Sequence, residues 1–227
     1  MSLESIKGLR RTNLTAEIAS NLRRLIAEGN LLPGTHLVES DVAEKLGVSR
    51  GSLREALCIL ESEGLVNRLP GRGSFVAKIS ERDIREIYSL RTIMEKEALR
   101  LAVDRITQKD VEDLESILDL MFLAAEEGDN AEVLDLDLKF HERIWEIADH
   151  SRLKSYLDEI AVHVRMYVAI QTSQYESLSV GISDHRQLLD AINSGDADTA
   201  TKIIVEHLQV ATNTLLECFV GYFTEQP

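Results

Sequence analysis

The sequence predicts a mostly α-helical protein in two parts: three helices with a β-hairpin over residues 1–78, then an antiparallel all-α bundle of six to seven helices over residues 79–227. Three observations predict it. Apolar residues recur at i, i+3, i+4 and i+7 along nearly the whole chain. Strand character is confined to residues 65–77, on either side of Pro70-Gly71-Arg72-Gly73. The charge also divides at this point. Residues 1–80 hold 11 Lys/Arg against 9 Asp/Glu, and residues 81–227 hold 14 against 30, so the net charge of −14 belongs to the second part.

A chain of 227 residues can bury two cores, and 44% hydrophobic with 28% charged residues is an ordinary globular composition. No apolar run is long enough to span a bilayer, so no membrane partner is expected. The first residues lack the charged start, apolar stretch and cleavage site of a secretory signal, and a cytoplasmic location is expected. Cys58 and Cys218 form no C-x-x-C pair, and both are expected to be small buried hydrophobes.

In the first part, Ile18, Leu22, Leu25 and Ile26 follow Thr15 at helical spacing, predicting a helix over 15–28 with Thr15 as N-cap. Pro33-Gly34 falls in the break that ends it. A second helix is predicted over 39–46, stopped by Gly47 in the left-handed conformation with Val48 packing beneath. Ser49 then caps a third helix whose Leu53, Ala56, Leu57 and Leu60 face the core, which leaves Arg50 and Arg54 together on the outward side near its start. Two short helices joined by a glycine turn, the second exposing arginines, make a helix-turn-helix. The strands predicted at 65–69 and 74–77 add a hairpin wing, with Arg72 at a tip whose glycines let the backbone approach a sugar-phosphate chain.

The run VAEKLGVSRGSLREALCILESEGLVNRLPGRGSFV resembles the winged helix-turn-helix of the GntR family: G-V-S-R, R-E-A-L, E-G-L-V and G-R-G-S-F-V occur in that order at the family's spacings. The resemblance implies that Arg50 and Arg54 enter the major groove and that Gly71 and Arg72 reach the minor groove or the backbone. Ser52 stands in a Gly51-Ser52 pair where the family often carries Thr-Pro, and it is counted with the DNA-binding residues. One such module carries too few basic groups to bind tightly alone, so a homodimer on a pseudo-palindromic operator is expected.

After the connector Lys78-Ile79-Ser80 no strand pattern appears. Helices are predicted at about 81–103, 108–127, 131–148, 152–171, 178–193 and 197–223, with breaks that include Gly128-Asp129-Asn130, 172–177 and Ser194-Gly195-Asp196; Ser183 would cap a later start to the fifth. Four polar residues lie in phase with the apolar stripes. Asp137 and His141 share a face with Val133, Phe140, Ile144 and Ala148. His185 is in phase with Ile182, Leu188, Leu189 and Ile192, and His207 with Ile203, Ile204 and Ala211. Three helices thus aim a carboxylate and three imidazoles into one interior. Burying these groups unpartnered would cost about 1–3 kcal/mol each, a penalty that a shared cation removes. His36, His150 and His163 lie in loops or out of phase. Arg91 shares a stripe with Ile84, Tyr88 and Ala98, and Arg165 one with Leu157, Ala161 and Val168. A guanidinium inside a bundle needs an anion, either a carboxylate effector or, for Arg91, Glu95 four residues on.

The pattern D-x-x-x-H at Asp137–His141, followed by His185-Arg186-Gln187-Leu188-Leu189-Asp190-Ala191-Ile192, Gly195-Asp196 and His207, resembles the FCD effector domain of FadR-type GntR regulators. The resemblance implies that Asp137, His141, His185 and His207 ligate a divalent transition metal (zinc first, with nickel, manganese or iron as alternatives). It also implies a small organic acid effector. The expected function is a DNA-binding transcription regulator, a repressor by analogy, whose operator affinity follows an acid bound at the metal. A metalloenzyme is the rival class, but H-E-x-x-H fails because Trp145 stands where the second histidine belongs. A third reading is a direct metal sensor without organic effector.

Overall fold

Ile18, Leu22 and Ile26 are each buried one turn apart on α1 (Thr12–Ala27), and this stripe packs on α3 (Arg50–Ser62), whose Leu53, Leu57 and Leu60 are fully buried. The structure, a computed structural model, describes residues 12–174 and 182–224, with side chains described over 14–168 and 182–219. Thr15 lies inside α1 rather than at its cap. Its hydroxyl donates to Glu55 Oε2 at 3.0 Å and so ties α1 to α3. Arg23 adds a bidentate pair with Glu63, at 2.6 and 2.9 Å.

Helix α2 (Glu39–Leu46) ends at Gly47 with φ 64°, where the glycine N–H meets Ala43 and Glu44 carbonyls. Ser49 then caps α3 by accepting from the Ser52 N–H. The expectation of a buried Cys58 is corrected: it is exposed, because it lies off the Leu53–Ala56–Leu57–Leu60 phase, and its Sγ stands 2.8 Å from Arg68 Nη1. Cys218 is buried.

The wing is β2 (Val66–Leu69) and β3 (Gly73–Val76), joined by a strand the sequence reading did not place, β1 (His36–Leu37), in the antiparallel order β1-β3-β2. His36 stacks on its register partner Phe75 with centroids 4.5 Å apart. Gly73, at φ 99°, lies under the same imidazole: a Cβ there would stand 2.6 Å from His36 Nε2.

The chain divides into two units, Met1–Lys78 and Ile79–Pro227. In the second, Ser80 and Thr107 form capping boxes with Asp83 and Asp110 and set the starts of α4 (Glu81–Val103) and α5 (Gln108–Glu127). Next come α6 (Asn130–Ile147), α7 (Ser151–Gln174), α8 (Ile182–Asn193) and α9 (Ala197–Thr224). Helix continues through 172–174, where a break was expected. Residues 175–181, which include the expected start of the fifth bundle helix at 178, lie outside the described residues. Helix α4 is central, packing on α6, α7, α8 and α9. Ala98 joins Leu138, Trp145, Ala148, Leu157 and Ala161 in one apolar cluster between α4, α6 and α7. Arg143 pins α6 to the start of α5 through Asp110 at 2.6 Å and Asp113 at 2.9 Å.

Candidate functional site

In the first unit, Arg50 and Arg54 are exposed on α3, and Gly71 and Arg72 are exposed at the wing tip, where Gly71 takes φ 72°. Arg54 and Gly71 line one cleft of about 470 Å³ together with Arg68, Glu39 and Glu61. Arg54 Nε donates to Glu39 Oε2 at 2.6 Å, although its side chain remains 61% exposed. Ser52 turns back to Ser49, with their hydroxyl oxygens 2.9 Å apart, so its side chain completes the cap. Arg68, which also lines this cleft, belongs to none of the motifs that mark the other residues. Its alternation on β2 could have marked it, since Asn67 and Leu69 are exposed while Arg68 reaches back to Glu61 at 3.7 Å.

In the second unit the four residues converge. Asp137 and His141, one turn apart on α6, meet His185 from α8 and His207 from α9, with ligand atoms all within 4.8 Å of one another. Asp137 Oδ1 is the hub: it lies 3.0 Å from His185 Nε2, 3.8 Å from His207 Nε2 and 4.0 Å from His141 Nε2. Nitrogen and oxygen ligands about 2.0–2.2 Å from a divalent ion stand about 3–3.5 Å apart, so the set needs only slight contraction to hold one. His141 is fully buried, and its Nε2 has no hydrogen-bond partner. A buried lone pair or N–H left bare costs free energy, and an ion among these atoms removes that cost.

Electrostatics fit the same use. Burial opposes ionisation of Asp137, yet the His185 hydrogen bond and the three imidazoles hold its carboxyl well below the usual carboxylate range. Burial, with His185 beside it, pushes the His207 imidazolium down to about 3, so the ring is neutral, the form that ligates. Outside the cluster, His141 Nδ1 lies 2.7 Å from Glu95 Oε2, and the other Glu95 oxygen accepts from Arg91 Nε at 2.6 Å. Burial disfavours the Glu95 carboxylate, but His141 and Arg91 lower its pKa to about 2. His207 Nδ1 has a looser outer partner, Asp184, at 3.8 Å. The Arg91–Glu95 pair was expected from its i, i+4 spacing. The Glu95–His141 contact spans a sequence separation of 46 and carries no local signal.

A cavity of about 60 Å³ adjoins the cluster, lined by Asp137, His185 and His207, by Tyr88, Arg91 and Thr214, and by apolar residues that include Val133, Val164 and Leu215. Arg91 is 2% exposed, and its Nη2 has no hydrogen-bond partner. Its Nε is paired with Glu95, as the i, i+4 spacing predicts, and the same side chain lines the cavity. Arg165 does not line this cavity. Val164 and Val168 line the cavity, while Arg165, one step round α7, pairs with Glu142 at 2.7 Å and is 35% exposed. Among the described residues no helix is long and apolar enough to cross a membrane.

Comparison with known proteins agrees with this layout. Residues 14–76 match "Bacterial regulatory proteins, gntR family", and residues 86–210 match "FCD domain". McbR of Escherichia coli, an HTH-type transcriptional regulator, is 26% identical over 206 residues, covering 88% of this chain and 92% of McbR. The gluconate operon transcriptional repressor of Bacillus subtilis is 29% identical over 195 residues, covering 84% and 80%. Two solved structures share the fold, E. coli McbR/YncC and a putative GntR regulator from Rhodococcus sp. RHA1. Each has a TM-score of 0.77, at 23% and 24% identity, covering 92% and 91% of this chain and 100% and 99% of theirs. These matches place the chain in the GntR family of bacterial regulatory proteins, with an FCD domain as its second part: it is a DNA-binding transcription regulator and not an enzyme.

Proposed function

We propose that this chain is a FadR-type, cytoplasmic, homodimeric repressor whose operator affinity is set by a small organic acid bound beside a divalent metal ion. One observation carries the reading: Asp137 and three imidazoles converge beside a cavity whose wall holds the unpaired Nη2 of Arg91. The B. subtilis relative's name as a repressor supports the sign of regulation.

Asp137, His141, His185 and His207 would hold the ion, with zinc first and nickel, manganese or iron as alternatives; when bound, it supplies a Lewis-acidic anchor for a carboxylate oxygen. Arg91 offers that carboxylate a charged donor, Tyr88 and Thr214 add polar groups to the lining, and apolar residues make up the rest. The unpaired Arg91 donor favours an organic acid as the signal over the ion alone. In the other unit, Arg50, Ser52 and Arg54 would meet base edges and phosphates in the major groove, and Gly71 with Arg72 would meet the neighbouring backbone. Regulation requires the acid to bind one arrangement of the dimer more tightly, and linkage then makes operator DNA weaken acid binding by the same factor.

The test is native mass spectrometry with elemental analysis of the purified protein, followed by titration of carboxylic acids against an operator selected from random DNA. A divalent ion on the chain, with acid-dependent operator release that chelation abolishes, is the expected result. Stripped protein that binds acids and releases operator unchanged would refute the metal's part.

A further inference from the structure

Glu95 is buried at 2% exposure between two other buried groups, and each carboxylate oxygen has a different partner. Oε1 accepts from Arg91 Nε at 2.6 Å, and Oε2 lies 2.7 Å from His141 Nδ1. The opposite nitrogen of that ring, Nε2, is the atom turned to Asp137, at 4.0 Å, within the cluster. An imidazole can ligate an ion through Nε2 only when that nitrogen carries a lone pair, and a carboxylate on Nδ1 places the ring proton on Nδ1.

We infer that Glu95 is a positioning residue for the metal centre: it sets the ligating tautomer and the orientation of His141, while Arg91 holds the carboxylate so that it cannot rotate away. This rests on the metal reading above and deepens it, since the same carboxylate fixes the guanidinium that lines the effector cavity. Sensor and ligand wall then share one buried group.

The substitution Glu95→Gln separates positioning from bulk. Glutamine has the same shape but one acceptor and one donor. Arg91 Nε–H can only donate, so the amide oxygen must stay with it. The amide NH₂ then faces His141 Nδ1 and can be accommodated only if the ring moves its proton to Nε2, where it points into the metal cluster. The fold keeps its hydrogen bonds, and the ligand is disabled.

The experiment uses full-length protein, freed of metal and titrated with zinc against a chromophoric chelator. Wild type and Glu97→Gln, which alters an exposed acid two residues on, are expected to bind alike, and Glu95→Gln about 10–100-fold more weakly. Nitrogen-15 spectra of His141 supply a readout that mere loosening would not move: in the zinc-loaded wild type the ion sits on Nε2 with the proton on Nδ1, and in metal-free Glu95→Gln the proton is on Nε2. Equal zinc affinities for wild type and Glu95→Gln would overturn the inference. So would zinc on Nδ1 of wild-type His141, a measurement that needs no variant to fold. If wild type binds no zinc, nickel, manganese or iron, the metal reading itself fails, which is a different result.

Discussion

The two units carry their charged working groups in opposite ways. On α3 Arg54 is paired with Glu39 at 2.6 Å, yet its side chain is 61% exposed. In the bundle Arg91 is paired with Glu95 at the same distance, yet the two side chains are only 3% and 2% exposed. An exposed pair is worth about 0.2–1 kcal/mol and exchanges readily for another anion. Breaking a buried one leaves an uncompensated charge at a cost of about 3–5 kcal/mol. Under the proposed DNA-reading role, Arg54 can therefore give up its intramolecular acid to a phosphate or base edge. The bundle holds its groups in place before any ligand comes.

The largest loss is expected at the cluster. His185→Ala removes a nitrogen 3.0 Å from Asp137 Oδ1 and with it one of four converging ligands. Zinc affinity is expected to fall by more than about 100-fold, beyond the 10–100-fold loss expected for an outer partner such as Glu95. Isothermal titration with zinc checks this. A zinc affinity within about tenfold of wild type would show that the interior does not depend on the converged set.

At the exposed end, Arg54→Ala is expected to weaken specific operator binding by about 1–3 kcal/mol and to relax base preference, whereas Arg72→Ala should lower affinity more evenly across sequences. Fluorescence anisotropy on specific and random duplexes at fixed salt distinguishes the two. Equal losses from Arg54→Ala on both duplexes would remove its base-reading role and leave the cleft beside the wing as a phosphate contact alone.

Periodicity made much of this legible. Leu53, Ala56, Leu57 and Leu60 revealed the inward face of α3, and so the outward placement of Arg50 and Arg54. The phase of His185 and His207 with their leucine and isoleucine neighbours pointed both rings inward, where the structure brings them together. What periodicity could not show were relations between faces of different helices. Cys58 and Arg165 lie at the margins of their stripes, where a step of about 100° decides between core and solvent; Cys58 came out exposed and Arg165 beside Glu142. Glu95 was visible as a partner for Arg91, one turn away, but its hold on His141 depends on how α4 lies against α6. Strand β1 has two residues, too few for an alternation to register.

The smallest effect tests how far the reading surface depends on its own scaffold. Ser49 Oγ accepts from the Ser52 N–H at 3.1 Å and meets the Ser52 hydroxyl at 2.9 Å, so one exposed side chain both caps α3 and aligns a residue proposed to meet DNA. Ser49→Ala is expected to lower the stability of the protein by about 1 kcal/mol, and Ser49→Gly by only a few tenths, because glycine leaves the helix end open to water while alanine covers it without supplying an acceptor. Urea denaturation followed by circular dichroism measures both. Should Ser49→Ala lose stability but keep full operator affinity, Ser52 is placed by the helix backbone alone. A loss of affinity larger than the loss of stability would mean that the cap also orients the Ser52 hydroxyl toward DNA.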